Sequence, residues 1–217
     1  AVSRTRQPST SIIAENGQEI ATFGNVYSEV VYPDELPPYV INAVIATEDR
    51  RFYSHFGFDV IAFTRAMTAN LIKGRYAQGG STISQQILKN LYFTQEKKLE
   101  RKFAEVFGAF ALERLCTKEE IFALYVNTIY FGSGYEGIAA AAQGYFGKEV
   151  SALDAVECVM LAGIPNAPSA YSPDASPSLT AQRTEQVLER MVACETLSER
   201  DAQALSEQTE RRLGLSS

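Results

Sequence analysis

The clearest pattern of apolar and polar positions runs from Ile41 to Gly57, INAVIATEDRRFYSHFG. At helical spacing Ile41, Val44, Ile45, Glu48, Phe52 and His55 fall on one stripe, which predicts a helix ending near Gly57. Five of these suit a buried or cleft-facing surface and the sixth is an acid. An acid among apolar neighbours is expensive to ionise, and one held that way is suited to accept a proton near neutral pH. The same spacing also fits Glu48 paired with a buried arginine and doing no chemistry. The pattern leaves both readings open.

On either side of this stretch the periodicity changes. Ser11 to Phe23 alternates as two short strands around Asn16-Gly17, the strongest short hairpin signal. YPDELPPY, from Tyr32 to Tyr39, starts a helix with its paired prolines. Asp59 to Ile72 is amphipathic, with Val60, Phe63, Met67 and Leu71 along one side and Arg65, Lys73, Arg75 and Tyr76 at its edge and end. It reads either as a core helix with a basic end or as a surface that dips into lipid while its cations meet anionic headgroups. In QGGSTISQQILKN, from Gln78 to Asn90, two glycines free the backbone and Ser81 is the expected cap of a helix start. Such a start presents N–H groups that suit a phosphate, with Gln85, Gln86 and Lys89 as further donors nearby.

The helix expected over Lys97 to Leu112 places Leu99, Phe103, Val106, Phe107 and Phe110 inward, with Arg101 and Glu105 four apart on one face. A surface ion pair is the plainer account of those two. TKEE at Thr117 is a capping box ahead of a helix carrying Tyr125 and Asn127. FGSGYEG is a glycine-rich turn, IAAAAQGYFG a close-packing segment, and ALDAVECVMLAGI, capped by Ser151 and Asp154, a core helix. A proline-rich loop over Pro165 to Pro177 precedes two final helices, Thr180 to Glu195 and Ser198 to Leu213. The prediction is one mainly helical domain with a short N-terminal β-hairpin.

Composition narrows this further. At 217 residues, with 46% apolar and 21% charged side chains, the chain can bury a sizeable core. A net charge of −6 argues against nucleic acid as a partner, although KKLERK at Lys97 to Lys102 concentrates cations locally. Cys116, Cys158 and Cys194 have no metal-like spacing, and Cys158 reads as a small buried hydrophobe. No run approaches the ~20 apolar residues of a membrane span, and the chain opens on Ala1, as a domain cut from a longer protein would.

EDRRFYSHFG, GGSTISQQ, RKFAE, KEEIFALYVN and RTEQVL occur in this order, and together they resemble the five motifs of the family 51 peptidoglycan glycosyltransferases. These are the glycan-polymerising domains of class A penicillin-binding proteins and of their monofunctional relatives. The resemblance covers Ser11 to Leu213. It implies a mainly α, lysozyme-like two-lobed domain over residues 1–217, with a membrane-facing jaw at about 59–78. It implies polymerisation of lipid II into β-1,4 glycan strands by an inverting single displacement that releases undecaprenyl pyrophosphate.

Carried over by motif, Glu48 is the general base on the acceptor 4-hydroxyl and Glu105 the second essential acid. Ser81, Gln85, Lys89, Arg101 and Lys102 would hold the donor, with Lys97 as an addition. Asp49, Phe52, His55, Tyr125 and Asn127 would shape or support the site. By analogy with inverting glycosidases, the two carboxyls would stand roughly 6.5–9.5 Å apart or more.

The expected partners are lipid II, the growing glycan strand, the membrane surface at the extracytoplasmic face of a bacterial cell, and the inhibitor moenomycin. No cofactor is required. Divalent metal stimulates some relatives, but no dedicated ligand cluster is visible here. The segment after Leu188 resembles the run toward a transpeptidase domain. Two departures stand out: Ser84 replaces the usual threonine of the second motif, and Arg183 is followed by Thr184 where a second arginine is common. A lysozyme-like muramidase or lytic transglycosylase shares the expected fold, and a non-catalytic module binding lipid II or a partner is the third reading.

Overall fold

The computed structural model describes residues 10–13, 19–23, 30–73, 79–92 and 99–215. Two strands, β1 (Thr10–Ile13) and β2 (Glu19–Phe23), pair antiparallel with Thr10 opposite Phe23 and a register shift at Ile12/Ile13. The Asn16-Gly17 turn lies outside the described residues. Helices follow: α1 (Pro38–Glu48), α2 (Val60–Lys73), α3 (Ile83–Tyr92), α4 (Leu99–Leu115) and α5 (Lys118–Thr128). Then come α6 (Ile138–Phe146), α7 (Ala155–Gly163), the single-turn α8 (Pro168–Tyr171), α9 (Pro177–Ala193) and α10 (Glu199–Arg212).

α7 explains the architecture. Asp154 accepts from the Glu157 amide and Glu157 reaches back to the Asp154 amide, a reciprocal cap that starts the helix. Every residue from Val156 to Gly163 is buried, so this helix is apolar all round and must be surrounded. It packs against α1, α9 and α10. Each fully buried Val, Leu or Met stabilises by about 1.5–3 kcal/mol relative to exposure. The one acid in that run, Glu157, is held by Lys148 at 2.8 Å and Arg212 at 2.9 Å. Cys158 is buried as expected, and burial first, then Asp154 and Glu157, pushes its thiol up to about 12. A second packed group, α3 with α4 and α5, shares one core with the first through Phe52, Ile83, Ile87, Phe122 and Tyr125.

Three expectations are corrected. The helix through Glu48 does not run to Gly57. It stops at Glu48, Asp49 takes an extended φ of −156°, and Phe52–Ser54 form a separate 3₁₀ turn. Gly57 has φ +79°, and a Cβ there would lie 2.8 Å from the Ala109 carbonyl carbon, so both backbone shape and close approach to α4 require glycine. Second, Ser81 is not the cap of α3; Thr82 is. Its Oγ1 accepts from the Gln85 amide at 3.2 Å, while Gln85 Oε1 accepts from the Thr82 amide at 3.0 Å. Third, α4 is turned over. Phe103 is 65% and Phe107 70% exposed, whereas Glu105, Ala109 and Glu113 at i, i+4 and i+8 face inward.

α2 also departs from the core reading. Val60, Ile61, Met67, Leu71 and Ile72 are exposed and Ala66 is buried. A groove of about 640 Å³ runs along it, lined by Val60, Ile61, Thr64, Arg65, Thr68, Ala69 and Ile72.

Candidate active site

The start of α3 gathers most of the predicted site residues. Asp49, directly after Glu48, accepts from the Ile83 amide at 3.0 Å and from His55 Nε2 at 2.9 Å, joining the end of α1 to the start of α3. A carboxylate there also meets the positive end of the helix dipole. His55 lies edge-on to Phe52, their ring centroids 6.3 Å apart. Thr82 Oγ1 donates to the Gly57 carbonyl at 2.7 Å, fixing the loop after α1 onto the same point. The amides of Thr82, Ile83 and Gln85 are therefore already used by protein side chains. An anion beside this helix start would draw mainly on side-chain donors.

Those donors are present beside it. Lys102 Nζ donates to Ser81 Oγ at 2.9 Å and to Glu105 Oε2 at 2.8 Å. Glu105 is only 2% exposed, an expensive place for a carboxylate unless a cation accompanies it. Lys89 is exposed farther along α3. Lys97 and the Arg101 side chain lie outside the described residues.

Glu48 is the last residue of α1 and half-buried. Gln86 Nε2 donates to its Oε2 at 3.1 Å, and Tyr125 Oη donates to Gln86 Oε1 at 3.3 Å. Burial first, then the charges of Glu48 and Asp49, holds the Tyr125 hydroxyl well above the ordinary phenol range, so it stays protonated. Beneath, Ser84 donates to Glu113 at 2.7 Å, Lys118 donates to the same carboxylate at 2.8 Å, and Lys118 sits 4.5 Å above the Phe52 ring. The hydroxyl that Ser84 keeps in place of threonine thus holds a buried acid.

Asn127 stands apart from this group. It brackets Val31, accepting from its amide at 3.0 Å and donating to its carbonyl at 2.8 Å, and so fixes where the chain enters the domain.

Several further residues take parts in the site that sequence did not assign to them. Arg183 is buried, donates to the Gly163 carbonyl at 3.2 Å and Gln186 at 3.0 Å, and lies over Tyr171. Burial first, then Arg190, pulls its pKa down, while Glu48 acts in the other direction, which sets a buried cation within electrostatic reach of Glu48. Thr184 is buried and donates back to the Thr180 carbonyl at 2.8 Å, filling a position where a second arginine would need repacking. Arg190 donates to the Thr47 carbonyl at 2.8 Å, and Arg50 donates to the Ala193 carbonyl at 3.0 Å. Arg190 of α9 thus caps the carbonyl end of α1, and Arg50, in the turn just after α1, caps that of α9. Arg50, Arg51 and Arg65 line a cleft of about 400 Å³ with Ala193, Cys194 and Glu195. Thr82 was legible as the first residue of a T-x-x-Q box. Gln86 and Arg183 could be named from sequence as a donor and as a motif residue, but their partners lie across long separations and carry no local signal.

A half-buried carboxylate on one side of a helix start and a lysine-held acid with a hydroxyl on the other define a site for moving a proton beside an anionic group. A profile of the transglycosylase family matches residues 16–192. The chain belongs to that family, the peptidoglycan glycosyltransferases.

It is 45% identical over 188 residues to penicillin-binding protein 1A of Aquifex aeolicus (strain VF5), covering 87% of this chain and 26% of that protein. It is 44% identical over 186 residues to penicillin-binding protein 1A of Vibrio cholerae, covering 86% of this chain and 22% of that protein. The chain thus spans about a quarter of the length of these relatives. The crystal structure of penicillin-binding protein 1A from Haemophilus influenzae shares the fold at TM-score 0.51 and 24% identity, over 92% of this chain and 20% of that one.

Proposed function

We propose that this chain polymerises lipid II into β-1,4 glycan strands by a single inverting displacement, with undecaprenyl pyrophosphate as leaving group. Glu48 takes the proton of the acceptor's 4-hydroxyl as that oxygen attacks the donor's anomeric carbon. Lys102, with Ser81 beside it and Glu105 holding its ammonium, meets the diphosphate as its negative charge develops. Arg101, Lys97 and Lys89 extend that cationic side, and Arg50, Arg51 and Arg65 line a second cationic cleft. Asp49, His55 and Phe52 hold the end of α1 in place. Gln85 braces the Thr82 cap. No cofactor takes part in this scheme.

The observation that carries this reading is the convergence on one helix start: Glu48 through Gln86, Asp49 through the Ile83 amide, and Ser81 through Lys102. The exposed apolar residues of α2, joined by Phe103 and Phe107 of α4, support a surface that rests on the membrane from which the lipid-linked substrate is drawn. Among the described residues no helix is long and apolar enough to cross a membrane. We place the domain at the extracytoplasmic face of the cell membrane, as part of a longer protein with a transpeptidase domain, and expect moenomycin to inhibit it.

The test is polymerisation of purified lipid II by the wild type and by Glu48→Gln. The variant should fold normally and lose about 10²–10⁴-fold in rate, the usual worth of a general base. Near-normal strand formation by that variant would remove Glu48 from this role.

A further inference from the structure

The side-chain amide between Glu48 and Tyr125 has a direction, and the direction matters for a base that must reset after every turnover. A carboxylate only accepts hydrogen bonds, so Gln86 must face Glu48 with its NH₂ and Tyr125 with its carbonyl oxygen. Tyr125 is fully buried, its hydroxyl stays protonated, and it can therefore always donate to Gln86 Oε1. At 3.3 Å that bond is too long to be a strong anchor. What it can do is select between two orientations of an amide that are otherwise close in shape.

The selection counts once Glu48 has taken a proton. A neutral acid can donate, and an amide free to turn would present Oε1 to the new O–H and hold it there. Turning would leave Tyr125 facing the amide NH₂, with its own donor unpaired in a buried place, which is costly.

We propose that Tyr125 is a positioning residue that locks the Gln86 amide with its NH₂ toward Glu48 in both protonation states, so that the protonated base is not trapped and releases its proton to water before the next sugar is added. This rests on the reading of Glu48 as the base. It adds that Tyr125 acts on the rate only through Gln86.

A double-mutant cycle on the full chain, with lipid II polymerisation followed at saturating and limiting substrate, tests it. Tyr125→Phe should lower kcat about three- to tenfold and leave KM unchanged. Gln86→Met, close in length but without either polar group, removes the amide that would hold the proton, so its kcat should stay above that of Tyr125→Phe. Tyr125→Phe added to Gln86→Met should change nothing further, because the orientation to be locked is gone. Independent, multiplying effects of the two substitutions overturn the proposal, as does a Tyr125→Phe enzyme with wild-type kcat.

Should Tyr125→Phe fail to fold, Gln86→Glu keeps the question open to test. It sets a second carboxyl against Glu48, and two acids so close share one proton, so the base is held protonated and kcat should fall below that of Gln86→Met; a Gln86→Glu enzyme as fast as Gln86→Met would overturn the lock. A wild-type chain that forms no strands from lipid II removes the functional reading itself and this inference with it. Multiplying effects in an active enzyme remove the inference alone.

Discussion

α7 and α4 both pack into the same domain, yet they bury opposite things. α7 hides Val156, Val159, Met160 and Leu161, and its single buried acid is tied down by Lys148 and Arg212. α4 hides Glu105 and Glu113, each with a lysine partner, and turns Phe103 and Phe107 to the outside. Where pattern and burial agree, a helix is scaffold held by the hydrophobic effect. Where they are reversed, the outer face presents aromatic rings and the inner face serves charge. Lys102 and Lys118, each 2.8 Å away, offset much of the cost of burying these two carboxylates.

This contrast can be broken by substitution. The largest effect should come from the inward side of α4. Glu105→Gln leaves Lys102 without its anion and should lower polymerisation on the order of 10³-fold, equivalent to about 4 kcal/mol of barrier, with the fold retained by circular dichroism. Next, Leu161→Ala in α7 should lose about 3 kcal/mol of stability by denaturant melting, through lost transfer energy and a cavity, while activity per folded molecule stays near normal. On the outer face of α4, Phe103→Ser with Phe107→Ser should change stability by less than about 0.5 kcal/mol per site. The pair should instead weaken co-sedimentation with vesicles. Marked destabilisation by these two would mean that the outer face is structural after all.

The smallest effect concerns the charged cap of α7. Burial alone would raise the Asp154 carboxyl, but hydrogen bonds from Arg212 and the Glu157 amide, with the charges of Arg212 and Lys148, hold it below the usual carboxylate range. Its contribution is therefore complete above the unfolded value of about 3.9 and is lost as pH falls through the lower folded value. The group is partly exposed, so solvent screens most of the gain. Thermal melts between pH 5 and pH 2 should show a slightly shallower acid decline for Asp154→Asn than for wild type.

The scaffold was largely legible in sequence. The hairpin strands, the Thr117 capping box, the all-apolar α7 and the two closing helices follow from periodicity and caps, which are local properties. The orientation of α4 was not, because periodicity says which residues share a face but not which medium that face meets. The end of α1 was not legible either. Glu48 is terminal because Asp49 leaves the helix to bind the Ile83 amide, 34 residues away. Within the site, Glu48, Asp49, Ser81, Lys102 and Glu105 could be named from motifs, whereas the partners of Gln86 and Arg183 became visible only once distant helices were side by side.

The two arginines exchanged between α1 and α9 have a consequence for how the domain tolerates change. Arg50 reaches Ala193, and Arg190 reaches Thr47, across 143 residues in each case. Neither helix can unwind its last turn or slip along the other without losing a charged clasp at both ends. The register of the carboxylate beside them is thus written at the far end of the chain. Insertions in the loops between should be absorbed quietly, while a one-residue shift within the closing turn of α9 should reach the sugar.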